Sequence, residues 1–288
     1  MLGIGLALLA AVASGLAVVL VRKKSDESNV LNTVFTLTSI GNIILWPLAL
    51  LITNLEAVNF EGVLFFAISG LLAPGIARLL YYKGMETVGA SVNSSVFATY
   101  PLYSSLFAVL LLNETFSSIN FLGIMCIILG AISIERSLRS NAWDKRILKR
   151  SLILPVLATL VNALSYIIRK HGLTIYNEPL LGVAIGHAIS FLLFFLLSIF
   201  PNSVRRSFVS KKDFGLFWKA GAILSFVWIL AFSALSYERV SVVTPLLSTE
   251  PLFVILFAYV YLKELEHISF KLIISTVLIV FGVVLVGI

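Results

Sequence analysis

The chain has 288 residues, of which 59% are hydrophobic and 12% charged, against roughly 45–50% and about 25% in a soluble domain. With a mean hydropathy of +1.04 and 21 Phe and 9 Tyr, a water-exposed globule would lack the polar skin to cover its core, which excludes a soluble domain and leaves lipid as the solvent. The net charge of +7 sits in short loops without aromatic interleaving, which argues against nucleic-acid binding and for contact with anionic headgroups.

A bilayer core asks for about 20 apolar residues per helix, so ten helices would use roughly 200 residues. In chain order the apolar runs are 1–21, 28–55, 62–82 (crossing Arg78), 87–113, 115–134, 151–168, 179–204, 220–237, 240–262 (interrupted by Glu250) and 272–288. They lack the dyad alternation of barrel strands, so each is predicted to be a spanning helix. The first run also resembles a secretory signal, with Ala11 and Ala13 at a cleavage-like spacing. Arg22, Lys23 and Lys24 follow it rather than precede it, which favours a span. Cys126 is the one cysteine, forms no intrachain disulfide and reads as a packing residue.

Basic residues set the expected orientation. With the first terminus outside, 18 of the 21 Lys and Arg fall on the inner side, and Arg169, Lys170 and Arg239 fall outside. This positive-inside bias predicts a multi-pass plasma (inner) membrane protein with both termini extracytoplasmic.

Shifting the chain by 150 residues aligns Ser91–Glu114 with Ser241–Glu264 without a gap, with 10 of 24 positions identical, including Pro101/Pro251 and Glu114/Glu264. Beyond a two-residue loop difference, Gly123 and Gly130 match Ser275 and Gly282, a small-residue spacing suited to close helix packing. The expected fold is therefore an all-α integral membrane protein. Its two five-helix repeats, 1–137 and 151–288, are joined by a basic cytoplasmic linker at 138–150. Five is odd, so equivalent helices cross in opposite directions, the inverted repeat of many secondary transporters, with a central cavity between the halves. A duplicated membrane enzyme and a structural or regulatory membrane protein are the alternatives.

A proline in mid-helix, an aliphatic helix ending in Leu112-Asn113-Glu114 or Leu262-Lys263-Glu264, and a Gly-containing apolar helix after it resemble the EamA repeat. Glu250-Pro251 is similar to the Glu-Pro often found in the second copy, and Tyr100-Pro101 departs from it in the first. The whole chain resembles a two-repeat member of the drug/metabolite transporter superfamily. The resemblance implies ten helices around a central cavity and alternating-access movement of small organic solutes. Many members keep both termini in the cytoplasm, whereas the basic residues here place them opposite.

Glu250 falls roughly eight residues, or about 12 Å, into its run, near the bilayer centre, where a carboxyl is costly unless protonated, paired or wet. It reads either as a proton- or substrate-binding carboxyl or as a structural clasp. Arg78, after Pro74-Gly75, either snorkels to the inner surface or meets a substrate carboxylate or phosphate. Asn93, Phe97, Tyr100 and Ser104 form one stripe, and Thr159, Asn162 and Tyr166 another. Both stripes point inward, towards substrate or a neighbouring helix. Trp228, the repeat counterpart of Arg78, is an aromatic-wall candidate alongside Tyr81 and Tyr82. His187 reads as a packing histidine before a proton relay. Pro101 and Pro251 are expected to be matching bends, and Glu114 and Glu264 to cap or pair with neighbouring groups.

No phosphate loop, paired-Asp motif, zinc signature or nucleophile elbow occurs, so neither an ATP-driven cycle nor an enzyme finds support, and no cofactor or metal is expected. The expected partners are a small-molecule solute and the bilayer. The chain is monomer-sized, with a dimer left open. A reporter fused to the C-terminus and active only in the cytoplasm should be silent, and a strong signal would overturn the charge-based orientation.

Overall fold

The computed structural model describes residues 1–24, 30–53, 58–88, 93, 96–115, 117–137, 152–199, 211–262 and 270–287. The linker at 138–150, Ser91 and Glu264 lie outside the described residues, as do the side chains of Tyr82 and Pro251.

All regular secondary structure among the described residues is helical: α1 (Leu2–Arg22), α2 (Val30–Ile52), α3 (Phe60–Gly70), a π-type turn (Leu71–Ile76), α4 (Ala77–Val88), α5 (Tyr100–Leu112), α6 (Ser118–Ser137), α7 (Ile153–Ile175), α8 (Pro179–Ile199), α9 (Lys211–Tyr237), α10 (Val240–Leu247), α11 (Glu250–Leu262) and α12 (Phe270–Gly287). Among the described residues, six stretches are long and apolar enough to cross a membrane: Leu2–Val21, Asn32–Ile52, Phe60–Tyr81, Ile153–Ile175, Pro179–Leu197 and Lys211–Tyr237. Shorter apolar helices cover Tyr100–Leu112, Ser118–Ser133, Val240–Val254 and Val277–Val286. Their side chains sort by size and polarity. Leu64, Leu110, Val277 and Phe281 face outward, while Ala7, Ser69, Thr159 and Ser225 are buried. That is the arrangement lipid favours, because small and polar groups let helices approach and hydrogen-bond one another.

Helix α1 packs against α9, α10 and α11, and α7 against α3, α4 and α5. Helix α2 lies on α8 and α9, α3 on α8, α5 on α10, and α6 on α12.

The span from Phe60 to Val88 is broken where Pro74 requires it. Proline forces the preceding residue out of the helical region, and Ala73 is extended at φ −147°, ψ 125°. Proline also lacks the N–H that would reach the carbonyl four residues back. Ser190 Oγ donates to that Gly70 carbonyl instead, at 2.8 Å. Gly70 itself abuts the Gly186 backbone so closely that neither a side chain nor a methyl group fits there.

Two sequence expectations are corrected. Arg169 and Lys170 do not lie beyond the sixth span: α7 continues to Ile175 and encloses both, and Arg169 is 1% exposed. The first charge marked the end of the apolar run, but a cation can continue a membrane helix when other helices supply its surroundings. Nor does Glu250 sit deep inside a continuous helix. The chain turns at Ser248 and Thr249, and Glu250 is the first residue of α11.

The anticipated small-residue spacing forms the α6–α12 contact. A Cβ on Gly123 would stand 2.8 Å from the Gly282 carbonyl oxygen, one on Gly282 would stand 2.6 Å from that of Gly123, and one on Gly130 2.8 Å from that of Ser275. Backbone atoms cannot yield as flexible side chains do. We expect Gly282→Ala to lower the thermal unfolding midpoint in detergent micelles by the equivalent of about 1–3 kcal/mol, while Gly5→Ala, where a Cβ meets nothing within 4 Å, should leave it unchanged or slightly raised. Equal midpoints would show that the two helices do not touch as described.

Candidate functional site

Helix α7 carries the polar stripe into the protein. Thr159, Asn162 and Tyr166 are all buried, and Arg169 continues the stripe at the next helical interval. Thr159 Oγ1 donates to Pro155 O at 2.7 Å and approaches Val96 O at 3.4 Å. The Tyr166 ring stacks on that of Tyr100, with centroids 5.7 Å apart.

Arg169 was not among the residues singled out from the sequence, and it is the largest fully buried side chain described. Its Cζ lies 4.3 Å from the ring centroid of Phe232, 4.8 Å from Tyr166 and 5.2 Å from Trp228. Nη2 donates to Ala73 O, the carbonyl exposed by the break at Pro74, at 3.2 Å. Among the described residues Nε and Nη1 have no hydrogen-bond partner, and Arg169 forms no ion pair. A buried unpaired charge costs several kcal/mol. Cation–π contacts away from water contribute about 2 kcal/mol each and offset part of that. The signal that could have found Arg169 was its place one interval beyond Tyr166.

From the other side, Tyr100 donates its hydroxyl to Thr244 O at 3.2 Å, and Ser104 Oγ lies 2.6 Å from Thr244 Oγ1, tying α5 to α10. Phe97 tilts against Tyr100 and meets Tyr81 edge-on. Asn93 is fully buried, and neither of its amide atoms has a hydrogen-bond partner among the described residues. It lies against the Cα of Gly84, where a Cβ would collide with its amide oxygen.

Glu250 is partly buried and accepts a short hydrogen bond from Ser14 Oγ of α1. It is near enough to Tyr100 and Tyr166 to act on both electrostatically. Pro101 and Pro251 each occupy the second position of a helix that restarts after a break, where the missing N–H has no helical partner to lose. Trp228 meets His187 edge-on at 5.6 Å. His187 Nδ1 lies 3.1 Å from Val183 O, and Arg78, partly buried on α4, acts on this histidine through its charge. The structure thus brings Tyr100, Tyr166, Trp228 and Glu250 around one middle region with Arg169. Arg78 approaches through His187, and Asn93 and Thr159 lie further along the same stripes.

At one end of the bundle, α5 stops at Asn113, whose left-handed backbone (φ 53°) turns the chain, a conformation asparagine tolerates. Glu114 then caps α10. Its carboxylate accepts from Val240 N at 2.8 Å, Ser241 N at 3.0 Å and Ser241 Oγ at 2.7 Å. Arg239 Nη1 donates to Thr115 O at 2.9 Å and to its Oγ1 at 2.7 Å. Lys170 donates to the carbonyls of Leu235 and Glu238, where a cation complements the end of α9. A cavity of about 320 Å³ opens here among Leu112, Glu114, Lys170, His171, Thr174 and Arg239.

The sequence profile of the EamA-like transporter family matches residues 1–136 and 149–288. No curated protein matches the chain. A solved structure titled only "Crystal structure of protein" superposes with a TM-score of 0.75 at 14% identity, over 99% of this chain and 98% of that one, a likeness of fold alone.

Replacing Glu114 by Ala removes the acceptor for two helix-start amides and a hydroxyl at once. We expect a loss of about 1–2 kcal/mol in unfolding stability and earlier hydrogen exchange at Val240 and Ser241. Exchange unchanged at those amides would rule out the cap.

Proposed function

Because the chain belongs to the EamA-like transporter family, we propose that it is a secondary transporter of the drug/metabolite superfamily, moving a small organic solute by alternating access between two opposed five-helix halves, 1–137 and 151–288. The observation that carries this reading is the pattern of helix contacts. Taking α3 with α4, and α10 with α11, as single broken spans yields ten. Exchanging the first five with the last five then turns α1 on α9 into α7 on α3 and α4, α1 on α11 into α7 on α5, and α2 on α9 into α8 on α3. The contacts of α2 with α8, α5 with α10 and α6 with α12 turn into themselves. Such an exchange is what an inverted repeat produces. The residue pairing in α6 and α12, Gly123 with Gly282 and Gly130 with Ser275, supports the same axis.

The two halves rock about the region of Tyr100, Tyr166 and Trp228, where aromatic walls suit a partly apolar solute. Glu250 takes up the proton or contacts the solute, with Asn162, Thr159, Asn93 and Arg78 along the path. The bonds of Glu114 and Arg239 join residues of the two halves at one end, so that end opens only when they break. The charge bias assigns that end to the outside of the plasma membrane. The family's transport role speaks against an enzyme.

Purified protein in proteoliposomes should support counterflow of a labelled solute chosen by thermal stabilisation, whereas product formation without translocation would replace the transporter by an enzyme. Glu250→Gln, which can still accept from Ser14, should abolish uptake driven by a pH gradient. Full pH dependence in that variant would remove Glu250 as the proton carrier.

A further inference from the structure

We propose that Arg169 is the receptor for an anionic group on the transported solute, and that the solute is a small organic anion, a carboxylate or phosphate carried on a flat apolar body. This assignment rests on the transporter reading and names the class of its cargo.

Four observations meet at this side chain. It is 1% exposed and has no carboxylate partner among the described residues; Glu250, whose charge acts on the same two tyrosines, is engaged by Ser14 of α1. Its Nη2 holds the Ala73 carbonyl, a task that a neutral amide could perform with one N–H. Its Nε–H and both Nη1–H groups have no acceptor at hydrogen-bond geometry among the described residues, leaving donors of the planar fork that suits carboxylate and phosphate oxygens. Finally, the rings of Phe232, Tyr166 and Trp228 that surround it form a box of the kind that takes a cation. That box already contains one, so the complementary ligand is an anion, and the apolar surroundings suit a flat body on it.

Binding to the full-length protein in detergent is measured with phenylacetate, phenyl phosphate, inorganic phosphate and the neutral phenylacetamide, on wild type and on Arg169→Lys and Arg169→Gln. Saturable binding of phenylacetate or phenyl phosphate, with phenylacetamide about a hundredfold weaker or worse, is the expected result. Arg169→Lys should weaken the anion by about tenfold or more. Because the contrast between phenylacetate and its amide is read on the wild type, the test survives a variant that fails to fold. Inorganic phosphate binding as tightly as phenyl phosphate would leave an anion site without the flat body and overturn the cargo assignment. Equal binding of the amide, or saturable binding by neither aromatic anion, overturns the proposal. Counterflow of [14C]phenylacetate in proteoliposomes separates the two readings. Arg169-dependent binding without flux keeps the anion site and removes transport. Flux of other solutes, undiminished in Arg169→Gln, keeps transport and removes the anion site.

Discussion

Inside hydrocarbon a carbonyl released from a helix has no water to turn to, so it must find a donor on another segment. The break at Pro74 leaves two without the N–H that would reach them in an α-helix. Ser190 of α8 answers Gly70 O, and Arg169 of α7 answers Ala73 O. Neither donor belongs to the broken span, so satisfying the break also fixes α3 and α4 against both neighbours. The close approach of Gly70 to Gly186 follows from the same attachment. Once Arg169 is held there, Tyr166, one turn earlier on α7, is directed at Tyr100, and the guanidinium draws Trp228 and Phe232 of α9 around it. The arrangement of the middle of the protein is in this sense a consequence of one proline and the partners its carbonyls recruit.

A common backbone frame carries different chemistry in its two copies. Thr99 Oγ1 donates to Val96 O at 2.6 Å and Thr249 Oγ1 to Leu246 O at 2.7 Å. In each case the next helix turn begins with an N–H to the threonine carbonyl, from Leu102 and Leu252 at 3.0 Å. The residue delivered by that turn is Tyr100 in one copy and Glu250 in the other. One reaches across to Thr244, the other to Ser14. Trp228 stands where the first copy has Arg78. Geometry is shared while the polar groups are not, so the centre differs between the copies even where the surrounding backbone repeats.

What could be read from the sequence is what depends on spacing along the chain. The glycines of α6 and α12, the capping role of Glu114 and the inward stripe of α7 are properties of period and position, and the structure bears them out. Arg169 was misplaced because a charge at the edge of an apolar run ordinarily marks the end of a span, and its burial depends on Trp228 and Phe232, some sixty residues away in the chain. The partner of Glu250 was equally hidden. Ser14 is one small residue in an Ala-rich helix, and nothing local marks it as a donor to a carboxyl on α11. Tertiary contacts of this kind have no period, so no self-comparison reveals them.

The carboxyl of Glu250 and the guanidinium of Arg169 act electrostatically on the same pair of stacked tyrosines, yet they do not pair. Had they done so, each would have satisfied the other, and separating them would leave two unpaired groups, at about 3–5 kcal/mol for the loss of one partner alone. Instead each is held by a neutral group, a serine hydroxyl and a backbone carbonyl, through hydrogen bonds worth about 1.5–3 kcal/mol when one member is charged. Contacts of that size can be exchanged for another partner of similar strength. A buried ion pair would have locked α7 to α11, whereas two separately held groups leave both helices able to change what they bind without first breaking the strongest interaction in the core.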